Sequence, residues 1–269
     1  MIRPPAVAGR FYSSDPKELD ASVAGFLDPK ATRIQAIGAV IPHAGYMYSG
    51  HVAGAVYSRL EIPKRAIILC PNHTGYGPPL SIMRSGAWQT PLGQAAIDEE
   101  LCDALMRTTG LLRDDVTAHR YEHALEVQLP FLQHILGADF RFVPVTMGTA
   151  EWFHLESVGN AMAQVIRGTE PRPIIVASSD MNHYEADSVT RVKDRKAIDK
   201  VLNLDARGLF DIVRRERISM CGFGPTTSML IAAGQLGATK AELVKYATSG
   251  DVSGDFDRVV GYAGIVVTA

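Results

Sequence analysis

The amino-acid sequence predicts a single α/β domain in which a central sheet, mostly parallel or mixed, is flanked by helices. Two observations lead to this prediction. Short apolar, β-branched segments alternate with longer segments of helical periodicity. In addition, no linker rich in proline, glycine and serine divides the 269 residues, and a chain of this length can bury one large core. Residues 1–269 are therefore interpreted as one domain.

The predicted strands are short apolar runs bounded by turn residues. They are residues 36–42, 65–70, 80–84, 141–146, 173–178, 242–247 and 258–267. Residues 80–98 include Thr90-Pro91-Leu92-Gly93 and resemble a hairpin inserted into the alternating pattern.

Helical patterns fall between these strands. The first is predicted for residues 16–27, because Asp15 suits the N-cap and Pro16 the first helical position. Residues 50–60 form another, whose small side chains suit close packing on a sheet. The remaining predicted helices are residues 122–136, 151–166, 188–201, 206–214 and 226–236.

Charge and cysteine content narrow the class of protein. The net charge of −2 gives no sign of a polyanion-binding surface, so no nucleic-acid partner is expected. No apolar run approaches the roughly 20 residues of a membrane span, and the first residues lack the apolar segment of a signal peptide. Three cysteines without regular spacing argue against a disulfide framework. We expect a soluble, cytoplasmic protein that does not bind membranes.

Histidines occur at the ends of predicted strands. His43, His73 and His183 each lie at such an end or a few residues past it, and Asp180 precedes His183. In open α/β sheets, ligands bind beyond the carboxyl ends of the strands, and neighbouring strands lie about 5 Å apart. A lone histidine there usually bonds a loop carbonyl. Three of them favour a metal site, because imidazole is a common ligand of Zn, Fe, Cu and Ni.

Cys221 lies in a glycine-broken loop just before the helix predicted from residue 226. A helix N-terminus stabilises a thiolate, so this side chain suits a metal ligand or a nucleophile. A buried structural cysteine is an equally good interpretation of this segment. Cys70 and Cys102 fall in a strand and a helix and are interpreted as core residues.

A second polar cluster contains Glu122, His123 and Glu126. On the predicted helix His123 and Glu126 would share a face. Such a pair can bind a metal, or Glu126 can orient the imidazole. A solvated helical face is the alternative. The histidines placed in other helical patterns are interpreted as structural: His51, His134 and His154.

Six motifs follow one another along the chain. They are Pro5-Ala6-Val7-Ala8-Gly9-Arg10-Phe11-Tyr12, Pro42-His43-Ala44-Gly45-Tyr46, Pro71-Asn72-His73, Glu122-His123-Ala124-Leu125-Glu126-Val127-Gln128-Leu129-Pro130, Ser178-Ser179-Asp180-Met181-Asn182-His183-Tyr184 and Cys221-Gly222. In this order they resemble the Memo family along essentially the whole chain. The resemblance implies a fold similar to that of class III extradiol dioxygenases, which are non-haem Fe(II) enzymes that open catechol rings.

The resemblance also implies roles for individual residues. In those dioxygenases two histidines and a glutamate hold iron, and a further histidine is the acid–base group. By motif, His43 and His73 are the expected imidazole ligands, Cys221 replaces the carboxylate, and His183 is the acid–base histidine with Asp180 beside it. This softer ligand set also suits copper, so Fe(II) is the expected ion and copper the alternative. Prokaryotic Memo relatives are named as component B of a system with an AMMECR1-like protein and a radical SAM protein, which are the expected partners.

Three functions fit these observations. The first is a metal-dependent redox protein in which His183 moves a proton. The second is a non-catalytic adaptor that uses the same cleft for a small molecule or a peptide. The third is a hydrolase with Cys221 as nucleophile, His183 or His73 as base and Asp180 orienting the base. The hydrolase ranks last because the sequence identifies no oxyanion hole.

Overall fold

A mixed sheet of twelve strands forms the centre of the protein, in a computed structural model that describes residues 1–269. The strands are β1 (Ile2–Arg3), β2 (Gly38–Ile41), β3 (Arg65–Pro71), β4 (Leu80–Ile82), β5 (Ala87–Thr90), β6 (Gly93–Ile97), β7 (Arg113–Asp114), β8 (Arg141–Met147), β9 (Ile174–Ser178), β10 (His183–Glu185), β11 (Lys240–Thr248) and β12 (Val259–Thr268).

The middle of the sheet is parallel. The strand order is β1-β5-β6-β8-β3-β9-β2-β12-β10, with β11 beside β12, β4 beside β8, and β7 beside β4. Strands β8, β3, β9 and β2 run parallel to one another, whereas β12 is antiparallel to β2. The apolar runs of β2, β3 and β9 are buried almost throughout, as expected for parallel strands covered on both faces.

Nine helices surround the sheet. They are α1 (Pro16–Phe26), α2 (Tyr46–Arg59), α3 (Glu99–Thr109), α4 (Leu129–Leu136), α5 (Trp152–Arg167), α6 (Asp187–Leu202), α7 (Ala206–Arg215), α8 (Phe223–Gln235) and α9 (Gly250–Ser253). Helix α2 packs on β11 and β12 and contacts α1, which also contacts α4, whereas α8 packs on β9 and contacts α5 and α7. None of these helices is both long and apolar enough to cross a membrane.

The predicted α/β architecture is confirmed. A single cluster of 66 buried apolar residues runs through the chain, and the next cluster holds only 3, so the molecule has one core. The hairpin predicted within residues 80–98 is formed by β5 and β6. As predicted, Asp15 caps α1, and its side chain accepts hydrogen bonds from the backbone N–H groups of Lys17 and Glu18.

The helix predicted for residues 122–136 is wrong over its first part. Residues 122–125 form a non-helical turn, residues 126–128 form a single 3₁₀ turn, and α4 begins at Leu129. Two polar side chains explain the difference, because their hydrogen bonds to backbone groups stabilise a turn instead of a regular helix. Glu122 accepts a hydrogen bond from the backbone N–H of Ala124, and Gln128 donates to the carbonyl oxygen of Pro42.

Candidate metal centre

Three parallel strands bring the candidate residues to one edge of the sheet. Strand β9 lies between β3 and β2, and all three point the same way. His43 lies two residues past the end of β2, His73 two past β3, and Asp180 two past β9. The parallel register pairs Ile41 with Ser178 and Leu69 with Ala177, so the three strands end side by side and the side chains that follow them can meet.

Three imidazoles converge at this edge: His43, His73 and His123. One ligand nitrogen from each lies within 4.8 Å of the others. The ring centroids of His73 and His123 are 4.6 Å apart and nearly parallel, and the His43 ring stands edge-on to both, at 5.2 Å and 5.5 Å. His43 is buried, His123 is half-buried and His73 is exposed. This group could hold a metal ion.

Glu122 fixes the orientation of His73. Its carboxylate accepts hydrogen bonds from the backbone N–H of His73 at 2.6 Å and from Nδ1 of the same residue at 2.9 Å. Nδ1 therefore carries the proton, and Nε2 keeps a free lone pair. Burial opposes the charge on Glu122. The hydrogen bond from His73 and the charge of His73 outweigh burial, and they lower the pKa of Glu122 to about 2. A carboxylate behind an imidazole is the usual support of a metal-binding histidine.

Ser178 fixes His43 in a similar way. The hydroxyl of Ser178 donates its proton to the carbonyl oxygen of Ala124 at 2.6 Å. The 3.0 Å contact between His43 Nδ1 and Ser178 Oγ is therefore a donation from the imidazole N–H, since the hydroxyl proton is already engaged. Nε2 of His43 is left as an acceptor, and it lies on the Cys221 side of the ring.

Burial and the neighbouring imidazoles favour the neutral form of His43 and His123, but not of His73. Burial lowers the pKa of His43, and the neighbouring His73 and His123 lower it further. Burial also lowers the pKa of His123. For His73 burial acts in the same direction, but the hydrogen bond that it donates to Glu122 and the charge of Glu122 prevail and raise the pKa of His73. Neutral imidazole is the form that binds metals.

Asp180 and Cys221 approach the cluster from the His43 side. Asp180 accepts a hydrogen bond from the backbone N–H of His43 at 2.7 Å, and its second oxygen lies 3.9 Å from His43 Nε2. Cys221 Sγ lies 3.2 Å from the same nitrogen. Burial, followed by the charge of Asp180, raises the pKa of the Cys221 thiol, which therefore carries its proton without a metal.

Gly222 allows the Cys221 loop to approach the end of β9. A Cβ at this position would lie 2.4 Å from the carbonyl oxygen of Ser178 and 2.4 Å from Cβ of Ser179. The backbone N–H of Gly222 instead donates to Ser179 Oγ at 3.1 Å. Cys221 is thus held one residue before the N-cap of α8, close to the position expected from the sequence.

His183 lies at the start of β10 and is half-buried. Its Nδ1 lies 2.9 Å from the carbonyl oxygen of Ser219, so Nδ1 is the protonated nitrogen and Nε2 has a free lone pair. Its backbone N–H donates to Ser219 Oγ at 2.8 Å. Since Ser219 precedes Cys221 by two residues, the same loop carries Cys221 and fixes His183.

The sequence matches the family described as Memo-like protein over residues 3–266. The chain belongs to this family. A MEMO1 family protein of Methanopyrus kandleri is 46% identical over 279 residues, with 99% of each chain covered. Relatives of the same description from Methanosarcina mazei, at 45% over 267 residues, and Pyrobaculum aerophilum, at 43% over 277 residues, cover at least 98% of each chain.

In this Memo-like chain the predicted pairing of His123 with Glu126 is wrong. Because the segment is not helical at His123, the two side chains face different surroundings. Glu126 has no exposed surface and forms an ion pair with buried Arg3. It also accepts a hydrogen bond from the hydroxyl of Tyr12. Glu126 therefore anchors the N-terminal segment, whereas His123 joins the imidazole cluster.

The sequence does not identify the two serines that orient the histidines. Ser178 orients His43, and Ser219 orients His183, but a serine at a strand end or in a loop carries no specific signal. The register of β2 against β9, which pairs Ile41 with Ser178, is the signal that would have found the first. Glu122 belongs to the second polar cluster of the sequence, and in the structure its carboxylate contacts His73.

Proposed function

We propose that this Memo-like chain is a metal-dependent redox protein that binds Fe(II) or copper through His43 and His73. The observation that carries the proposal is the fixed orientation of these rings. Nδ1 of His43 is held by Ser178 and Nδ1 of His73 by Glu122, so each Nε2 carries the lone pair that a metal ion needs, beside a third imidazole. Such donors fit iron and copper, as well as zinc.

Two side chains are candidates for the third metal ligand, beside His43 and His73. The resemblance favours Cys221, whose Sγ is 3.2 Å from His43 Nε2. The geometry also offers His123, whose ring stacks on His73. Binding through Cys221 would displace the thiol proton, because burial holds its pKa above the ordinary value. Metal affinity through Cys221 would then rise with pH for as long as the thiol stays protonated, whereas affinity through three imidazoles would level off once His73, whose pKa is raised, becomes neutral.

His183 is the proposed acid–base group. When bound, Fe(II) or copper would supply redox chemistry to the site. The protein's own contribution is a proton acceptor, since Nε2 of His183 has a free lone pair while Nδ1 is held by the carbonyl oxygen of Ser219. Asp180 ties the segment that leads from β9 to His183 to the backbone of His43.

A binding module is the second candidate, because bulky exposed side chains adjoin the motif histidines. Each lies within four residues of one of them, and each is more than half exposed: Met47, Tyr76, Tyr121 and Tyr184. A small molecule or a peptide could contact such side chains without turnover. The hydrolase is less favoured, since the raised pKa of Cys221 disfavours the thiolate that a nucleophile requires.

Two further expectations accompany the proposal. A cytoplasmic location is supported by three free cysteines, Cys70, Cys102 and Cys221. AMMECR1-like and radical SAM proteins are proposed as partners on the basis of the family resemblance. Co-purification of the tagged chain from its native cells would test both partners, and their absence under crosslinking conditions would remove this part of the proposal.

Metal retention tests the proposed function. Anaerobic protein loaded with Fe(II) or Cu(I) and then freed of loose metal should retain about one ion per chain, measured by elemental analysis. His43→Ala and His73→Ala should abolish retention, because too few donors remain to compete with water. His134→Ala is the matched control, since His134 pairs with Asp20 away from the cluster.

The same measurement separates the ligand sets. Loss of the ion in Cys221→Ala but not in His123→Ala identifies the thiolate set, and the reverse result identifies three imidazoles. No stoichiometric ion in the wild type would contradict the redox proposal. In that case rapid alkylation of Cys221 at neutral pH would favour the hydrolase, and an inert Cys221 the binding module.

A further inference from the structure

Asp194 is a fully buried carboxyl group that the proposed site does not use. It lies on α6, and its side chain has no exposed surface. Its Oδ2 accepts a hydrogen bond from the hydroxyl of Tyr246 on β11 at 2.7 Å. Its Oδ1 accepts from the backbone N–H of Asn182 at 2.8 Å. Burying a carboxyl group costs free energy unless hydrogen bonds offset the loss of water. Here one of the hydrogen-bond donors belongs to the loop that carries His183.

Asn182 transmits this contact to Ser219. The side-chain oxygen of Asn182 accepts hydrogen bonds from the backbone N–H of Ser219 at 3.1 Å and from its hydroxyl at 3.0 Å. The side-chain amide of Asn182 donates to Glu185 Oε2 at 2.7 Å, which fixes its orientation. Ser219 Oγ and the Ser219 carbonyl oxygen then hold the backbone and the ring of His183.

The backbone of β12 packs directly against the Asp194 carboxyl group at Gly261. Gly261 on β12 donates its N–H to the carbonyl oxygen of Asn182 at 2.9 Å and accepts from the N–H of Met181 at 2.8 Å. A Cβ at Gly261 would lie 1.8 Å from Asp194 Oδ2. The carboxyl group therefore fills the space that any side chain at this position would need.

We propose that Asp194 is a positioning residue for His183, acting through Asn182 and Ser219 to hold its Nδ1–H toward the Ser219 carbonyl and its Nε2 free. The importance of this role for catalysis rests on the proposed function, but the positioning itself does not. Free histidine in water favours the opposite tautomer, with the proton on Nε2. The tautomer of His183 is thus a direct readout of positioning, which a purely structural role of Asp194 would not change.

The experiment is nitrogen NMR of ¹⁵N-histidine-labelled full-length protein, freed of paramagnetic ions and kept at a pH where His183 is neutral. We expect the Nδ1–H tautomer of His183 in the wild type. Asp194→Ala should shift the ring toward the Nε2–H tautomer. Asp194→Asn should restore the wild-type tautomer, because its amide oxygen can still accept from Asn182. Asp199→Ala, on the same helix and bonded through its side chain to Arg195, is the control.

A wild-type tautomer in Asp194→Ala would overturn the proposal, as would a failure of Asp194→Asn to restore it. If Asp194→Ala does not fold, Gly261→Ala displaces the carboxyl group without removing it, and the same shift of tautomer is expected. An unchanged tautomer in folded Gly261→Ala would likewise overturn the proposal. Metal retention is measured on separately loaded portions of the same proteins, so that a protein without metal but with the expected tautomers contradicts only the proposed function.

Discussion

Glu122 and Glu126 lie four residues apart and neither is exposed to solvent, yet they belong to two different regions. Glu122 contacts the imidazoles of the candidate metal centre. Glu126 contacts the N-terminal segment. The donors to Glu122 come from His73 and Ala124, and the donors to Glu126 come from Arg3, Ala6, Val7 and Tyr12.

The partners decide what each carboxylate does. Arg3 remains charged, so Glu126 neutralises a buried cation that cannot lose its charge. His73 can instead be neutral, so Glu122 chiefly fixes its tautomer and strengthens Nε2 as a donor. Loss of Glu126 should therefore reduce the stability of the fold, and loss of Glu122 should reduce the affinity of the site.

Glu126→Ala should have the largest effect. It leaves the Arg3 guanidinium buried without its partner, which typically costs about 3–5 kcal/mol of unfolding free energy. Denaturant unfolding measures this loss, with exposed Glu156→Ala as control. The metal content of the folded fraction should not change. A loss of metal without a loss of stability would contradict the division into two regions.

Asp194→Asn extends the comparison to a buried carboxyl without a cationic partner. Burial raises the pKa of Asp194 from 3.8 to about 7, against the opposing hydrogen bonds of Tyr246 and Asn182 and the charge of Arg191. The folded state thus binds this proton more tightly than the unfolded chain. The resulting stability is present below pH about 4 and is lost as the pH rises to about 7, by on the order of 4 kcal/mol.

Asp194→Asn should remove this pH dependence of the unfolding free energy, so that the mutant gains stability relative to the wild type as the pH rises. Unfolding free energies at about pH 5 and about pH 8 measure the effect. Glu122 should act in the opposite sense. Because its pKa is lowered from 4.5 to about 2, its contribution is present above that range and is lost on acidification. A parallel pH dependence of wild type and Asp194→Asn would refute the assignment.

Glu122→Gln should reduce metal affinity about 10- to 100-fold, because the amide no longer strengthens His73 as a donor. A competition titration with a chelator measures the dissociation constant. Stability should fall less than in Glu126→Ala, since no permanent charge is left unpaired. An unchanged dissociation constant would show that Glu122 supports the loop and not the ligand.

The sequence predicts the central sheet and the strand-end histidines because both follow local rules. Parallel strands buried on both faces require continuous apolar runs, and the ends of such runs locate His43 and His73 directly. The start of α1 was predictable for a similar reason, since Asp15 and Pro16 act within one turn. Such features depend on neighbours in sequence.

The residues that were not predicted correctly depend on distant partners. Glu126 and Arg3 are 123 residues apart, and Glu122 reaches His73 across 49 residues. Spacing alone places His123 and Glu126 on one helical face, but the buried hydrogen bonds of Glu122 and Gln128 stabilise a turn there instead. Long-range contacts thus override local helical propensity in this segment.

Tyr12→Phe tests how far the two regions are independent and should have the smallest effect. It removes one donor to Glu126, a 2.6 Å bond from the phenol, while Arg3 remains. Burial and the charge of Glu126 raise the pKa of Tyr12, so the phenol stays a donor throughout the physiological range. We expect a loss of about 1.5 kcal/mol, as for a hydrogen bond to a charged group.

Tyr46→Phe is the matched control, because its hydroxyl is also buried and donates to a neutral acceptor, the carbonyl oxygen of Val127, at 2.7 Å. The two rings lie 5.6 Å apart, so both substitutions perturb the same packing. Tyr12→Phe should cost more, and the difference measures the charge on Glu126. Neither should alter metal affinity. A weaker site in Tyr12→Phe alone would show that the anchor at Glu126 and the metal centre behave as one unit. Phe11, the residue before Tyr12, packs on the His123 ring with the ring centroids 4.8 Å apart, and it offers a route for such coupling.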